Sequence, residues 1–169
     1  IEVASVEPEF FKSQLSQTFE PATFMATVAK SRDNVSNGIR SLALEWLVSY
    51  LEKRTKWLAK NLKQFPPLVL ESCLELLLDV GDTEDDLQTW AARMDGEEGD
   101  EDEDVLLHAG EEALDRVGEA LPIEELGPML FPLIGLYASQ ERWQAKHAAL
   151  TVVRQTVEYI EEGHIDEMA

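Results

Sequence analysis

Cysteine is nearly absent: Cys73 stands alone in 169 residues. No disulfide can form within the chain, so a reducing compartment is the expected setting. Basic residues are also scarce, with 14 Lys and Arg against 34 Asp and Glu and a formal net charge of −20 at pH 7. That balance weighs against nucleic acid, where affinity comes mainly from Lys and Arg on phosphates. It weighs equally against anionic membrane surfaces. Long apolar runs are missing. The longest nearly apolar stretch, Leu126 to Ala138, holds two prolines and is too short to span a bilayer. No signal-peptide pattern is seen at the start. The chain opens at Ile1 without Met, on residues that read as a helix end, so a piece of a longer protein is expected.

Enzyme motifs are missing too. There is no Gly-x-Ser-x-Gly, His-Glu-x-x-His or Gly-rich phosphate loop. His108, His147 and His164 are scattered along the chain. The carboxylates crowd one stretch instead of forming a pair in differentiated environments. Asp95-Gly-Glu-Glu-Gly-Asp does not follow the calcium-loop spacing. No enzyme, cofactor or metal site is expected.

What is present is an acidic insert. From 81 to 104 twelve Asp or Glu stand against one base, Arg93, which is −11 of the −20. It peaks at Asp95, Glu97, Glu98, Asp100, Glu101, Asp102, Glu103 and Asp104. Unpartnered carboxylates are too costly to bury, so this run must lie in water or against something basic. Apolar helical segments flank it, which makes it an insert in a folded domain and points to basic partners; added solubility is the plainer account.

The remainder reads as all-helical, without a convincing alternating strand. A first helix begins near Pro8 with Phe10, Phe11 and Leu15; Pro21 breaks or kinks it, and Phe24, Met25 and Val28 carry the pattern to about Lys30. The second helix places Ile39, Leu42, Ala43, Trp46, Leu47, Tyr50 and Leu51 on one stripe, with Arg40, Glu45 and Glu52 off it. A short turn follows around Trp57 and Leu58. Pro66 and Pro67 suit a helix start, and that helix runs through Leu70, Leu74 and Leu78 to Gly81. After the insert, Leu106, Leu107, Gly110, Ala113, Leu114, Val117 and Leu121 form another stripe. Pro122 starts a helix carrying Leu126, Met129, Leu130, Leu133, Ile134 and Tyr137. Ser139 is the expected N-cap of a last helix whose stripe is Ala145, Ala148, Ala149, Val152, Val153 and Val157.

Six main helices thus form three pairs, at about 8–53, 64–121 and 122–160. Ala-Leu steps at 43–44, 113–114 and 149–150 are 70 and 36 residues apart. Without the 24-residue insert the first spacing becomes 46. Both lie near the roughly 40–47 residues of a HEAT-type helical pair. Such pairs stack into a solenoid with an extended concave surface, and the expected fold class is an all-α superhelix.

Three blocks carry a family resemblance. Trp143-Gln-Ala-Lys-His-Ala-Ala-Leu150 resembles the Trp-x-x-Arg-x-Ala-Ala/Gly helix start of importin-beta (karyopherin-beta) transport receptors. Gly110-Glu-Glu-Ala-Leu-Asp-Arg116, directly after an acidic loop, resembles the importin beta-3 branch, as does Arg40-Ser-Leu-Ala-Leu-Glu45. The blocks come in family order and cover most of the chain. Lys146 departs from the usual Arg, and 49–63 is diverged and includes an additional Trp57. The resemblance implies a superhelical receptor that binds basic import signals on its inner surface. It implies release of cargo by Ran-GTP, outer-surface binding of Phe-Gly nucleoporins, and shuttling between cytoplasm and nucleus. The alternatives are a generic HEAT scaffold that never meets Ran, or an acidic chaperone of basic proteins.

Candidate contacts follow. The acidic insert reads either as a loop that contacts basic residues of cargo or Ran or as a solvated spacer. In the family the second, fourth and sixth helices line the concave side. Here they carry Arg40 and Glu45, then Glu112, Asp115 and Glu119, then Lys146 and Arg154. The carboxylates could receive Lys or Arg from a signal; equally, Glu112 and Arg116 are placed for an i,i+4 ion pair. Leu70, Leu74, Met129 and Leu133 border an outer groove for Phe side chains or simply belong to the core. Trp46 and Trp143 are expected to pack between repeats. Leu87, Trp90 and Met94 are expected to pin part of the insert onto the solenoid, because an indole needs a place to bury its ring.

Overall fold

The computed structural model describes residues 6–7, 9–80 and 105–164, and among these it contains seven helices and no strand. They are α1 (Glu9–Gln17), α2 (Glu20–Lys30), α3 (Asn37–Asn61), α4 (Phe65–Leu77), α5 (Val105–Ala120), α6 (Ile123–Ala138) and α7 (Trp143–His164). The acidic insert at 81–104, with Leu87, Trp90 and Met94, lies outside the described residues.

Local chemistry sets most boundaries. Pro21 sits in the first turn of α2, where its missing N–H costs nothing. The preceding Phe19 takes a left-handed conformation (φ 56°), uncommon for a bulky residue. Its ring packs edge-on against Phe65, centroids 6.2 Å apart. Pro66 likewise opens α4. Pro122 precedes α6 with an extended backbone.

Several expected boundaries move. The helix expected to reach Gly81 ends at Leu77. No turn interrupts the chain at Trp57 and Leu58: α3 runs on to Asn61 and is only kinked, at Arg54 (φ −133°, ψ 19°). Thr55 Oγ1 donates to the Leu51 carbonyl at 2.8 Å, satisfying a backbone group beside the kink. Leu58 is fully buried, which rewards the continued helix. Ser139 does not cap α7. It follows α6, and its hydroxyl donates back to the Leu136 carbonyl at 2.8 Å.

The helices pack in two layers. α2 lies on α3, α4 on α5 and α6 on α7; along the stack α2, α4 and α6 form one layer, and α3, α5 and α7 the other. α5 meets α3, α4 and α7, so it is central. Its glycines permit this. A Cβ on Gly110 would meet Leu77 Cδ2 at 2.9 Å and the Cys73 carbonyl at 3.2 Å; one on Gly118 would meet the Tyr159 ring. An aromatic cluster ties α1 in: Phe11 stands edge-on to Trp46 at 5.1 Å, and Trp46 stacks on Tyr50 at 5.6 Å. Leu44, Leu47, Leu70, Leu74, Leu77 and Leu114 fill the core.

The buried stripe of α3 keeps Ala43, Trp46, Leu47, Tyr50 and Leu51 as expected and departs from the expected one at its start. Ile39 and Leu42 are 54% and 56% exposed, whereas Arg40 is 3% exposed. Val153 and Val157 on α7 are also exposed, and Thr151 and Thr156 take buried positions. A helix between neighbours on several sides buries a wider arc than one stripe, and packing sets its phase.

Candidate functional site

The layer of α3, α5 and α7 carries a ladder of polar contacts that includes two of the predicted site residues, Glu45 and Asp115. Arg116 of α5 reaches across to α3 instead of pairing with Glu112 on its own helix. Its Nε and Nη2 donate to the two oxygens of Glu52 at 2.8 and 2.9 Å, and its Nη1 donates to Glu45 Oε2 at 2.5 Å. Ser49 Oγ adds a hydrogen bond to Glu45 Oε1 at 2.7 Å. Glu45, Ser49 and Glu52 share a face because they are four and three residues apart. Burial pushes the Glu45 carboxyl up, but the Arg116 and Ser49 hydrogen bonds outweigh it and hold Glu45 below its ordinary value. Arg116 is raised, chiefly by Glu52 and then by Glu45.

Between α5 and α7 the ladder continues. Tyr159 donates to Asp115 at 2.7 Å, and Arg154 pairs with Glu111. His147 is shifted down by burial and then by the nearby Arg154 charge. Of the predicted carboxylates, Glu45 is therefore committed to Arg116 and Asp115 accepts from Tyr159, while Glu112 and Glu119 are exposed. Asp95, Glu97, Glu98, Asp100, Glu101, Asp102, Glu103 and Asp104 lie outside the described residues.

A groove of about 220 Å³ opens between α3 and α5. Leu42, Leu44, Ala109 and Ala113 give it apolar walls, Glu45 and Glu112 face it, and Arg116 also lines it. Leu42, which the sequence pattern assigned to the core, borders this groove. Such a shape suits an aliphatic stem with a cationic tip. Of the outer-groove candidates, Leu70 and Leu74 are fully buried, and Met129 and Leu133 are half-buried against the core.

Sequence reasoning missed three contributors. Glu52 was legible only as lying one heptad from Glu45. Glu111 is hidden inside a run of like charges. Arg40 was placed on the exposed face, but its Nε donates to the Ala29 carbonyl at 3.0 Å, one of the carbonyls left open in the last turn of α2. Its Nη2 lies 2.5 Å from Asp79 Oδ2, which also receives Arg32 on its other oxygen at 3.5 Å. Among the described residues, no cluster of His, Cys, Asp and Glu could hold a metal ion, and no helix is long and apolar enough to cross a membrane.

Two layers of stacked helices with a polar ladder along one of them define an α–α superhelix of HEAT type. The importin-repeat family model matches residues 32–128, more than half of the chain. The chain belongs to the importin-repeat family. It is 25% identical over 158 residues to importin subunit beta-3 of Saccharomyces cerevisiae, a match that covers 94% of this chain and 14% of that protein. The crystal structure of Kap121p bound to Nup53p superposes with a TM-score of 0.81 at 23% identity, over 99% of this chain and 16% of that one. Kap121p bound to RanGTP gives 0.81 at 24% identity, again over 99% and 16%. The chain thus spans about one seventh of the length of the curated relative it matches.

Proposed function

We propose that this chain is one segment of a nuclear import receptor that carries basic cargo, releases it to Ran-GTP and touches Phe-Gly nucleoporins. The observation that supports it most directly is the groove between α3 and α5, which sets carboxylates over apolar walls in a chain of net charge −20. A lysine of an import signal would lay its stem on Leu42 and Ala109 and bring its ammonium to Glu112. Glu119 would extend that acceptor row, and the carboxylates at 95–104 would add steering and further contacts to cargo or Ran. Glu45 contributes less free charge because Arg116 already holds it. The mechanism is reversible binding with linkage: cargo and Ran-GTP each weaken the other. Shuttling between cytoplasm and nucleus follows from that cycle.

The relatives are several times longer than this chain, so the test is run in the full-length receptor. Fluorescence anisotropy of a labelled Lys-rich import signal is measured with and without Ran-GTP. Release by Ran-GTP is expected, with a loss of about two- to fivefold in affinity for Glu112→Gln, the worth of one exposed charge pair. A signal that stays bound whatever the nucleotide state of Ran would make the chain a scaffold without Ran control. Neutralising Glu97, Glu98 and Asp100 to Asp104 tests the insert: unchanged binding and release would reduce it to a spacer.

A further inference from the structure

The C-terminal half of α3 carries a feature that the import reading does not use. Lys53, Lys56 and Lys60 recur at spacings of three and four, and Lys63 continues the row just beyond the helix end at Asn61. All four are exposed. No acidic residue occurs between Glu52 and Glu71. The bases around this row are committed elsewhere: Lys12 and Arg54 to Glu9, Lys30 to Glu71, Arg32 and Arg40 to Asp79, and Arg116 to Glu45 and Glu52. Among the described residues, none of the four lysines has a carboxylate within ion-pair distance. In a chain of net charge −20, four such lysines in one row make a local patch of the opposite sign.

Beside the row, at the kink, lies a groove of about 620 Å³ between α3 and the start of α6. Lys53, Lys56, Trp57, Ala120 and Pro122 line it; of its two acidic lining residues, Glu52 is held by Arg116 and Glu125 stands on the α6 side. The Trp57 ring has Lys12 Nζ 5.7 Å from its centroid.

We propose that this half of α3 docks an acidic peptide segment of a partner protein, with Lys53, Lys56 and Lys60 on its carboxylates and the adjoining groove receiving an apolar side chain. The seven helical steps from Lys53 to Lys60 rise about 10 Å, and three acidic groups at alternate positions of an extended peptide span about 13 Å, a difference that the flexible four-carbon stems of the lysines take up. The overall charge selects the class of anion. Screening limits repulsion to roughly 8 Å at physiological salt, so a short segment feels the lysines locally. An extended RNA or an anionic membrane would also be pressed against Glu9, which pairs with Arg54 beside the row, and Glu125, which lines the adjoining groove.

The test is direct binding of a labelled peptide of alternating Glu and Ser with a central Phe. Wild type is compared with the triple variant Lys53→Gln/Lys56→Gln/Lys60→Gln, and with a control that removes exposed bases elsewhere, Arg142→Gln/Lys146→Gln. The triple variant is expected to bind about five- to tenfold more weakly, the control as wild type, and added salt to weaken wild-type binding. The single reversal Lys56→Glu is expected to weaken binding too, and it guards against any loss of folding in the triple variant. No binding by wild type, equal binding by the triple variant, or equal loss in the control overturns the proposal. So does an RNA oligonucleotide or a phosphatidylserine vesicle that displaces the peptide from the same lysines at equal charge concentration. Ran-GTP is absent from every arm, so failure here is distinct from failure of the import reading.

Discussion

Replacing Arg116 by Met isolates the ion cluster that joins α3 to α5. The Arg116 side chain is 22% exposed, and its partners Glu45 and Glu52 are 36% and 29% exposed. Removing one member of a fully buried pair costs about 3–5 kcal/mol, because a charge is left uncompensated. An exposed pair contributes only about 0.2–1 kcal/mol. The half-buried cluster lies between these limits, and about 2 kcal/mol is expected for Arg116→Met. For a chain of this size that corresponds to a fall in Tm of about 4–8 °C, read by far-UV circular dichroism. The loss should come from two carboxylates left close together, so adding Glu45→Gln and Glu52→Gln to Arg116→Met should restore much of it. The pH dependence carries a sign. Glu45 is held below its ordinary value in the folded chain. Its contribution is therefore present above the carboxylate value of the unfolded chain and is lost as pH falls through the lower folded value. The gap between wild type and Arg116→Met should be full at neutral pH and close in acid. An Arg116→Met chain as stable as wild type at neutral pH, or no recovery in the triple variant, would refute the reasoning.

Gly110→Val should destabilise the chain by about 1–3 kcal/mol through overpacking, since even a Cβ there would meet Leu77 at 2.9 Å; urea denaturation measures it. The Cys73 thiol is fully buried, and burial pushes it up to about 12. A thiol reagent at mildly alkaline pH should therefore leave native Cys73 unreacted and label it only on unfolding.

Proline positions and helical periodicity made the helix order readable. Pro21, Pro66 and Pro122 each stand at a helix start, where an imino nitrogen is cheapest. Long periodic segments such as 105–121 kept their predicted buried positions. The errors in helix faces share one cause. A period of 3.6 residues shows that a face exists but not which neighbours will cover it. Ile39 and Leu42 matched the stripe and yet face outward, because α3 turns Arg40 inward to the open carbonyl of Ala29 and to Asp79. The turn expected around Trp57 and Leu58 is absent, because burial of Leu58 carries the helix through.

The candidate site was legible as residue types and not as a state of charge. Glu45, Glu112, Asp115 and Glu119 are equivalent in sequence, but Glu45 is half-buried while the other three are exposed. Arg116 looked available to Glu112, its i−4 neighbour, and chose Glu52 and Glu45, 64 and 71 residues away.

From the sequence alone came an all-helical repeat, an acidic insert and the family blocks, because composition, helical period and short motifs are properties of neighbours along the chain. Tertiary structure alone decided which carboxylates are neutralised, where Arg40 is buried and which lysines of α3 have no carboxylate beside them among the described residues, because those depend on the register in which separate helices meet.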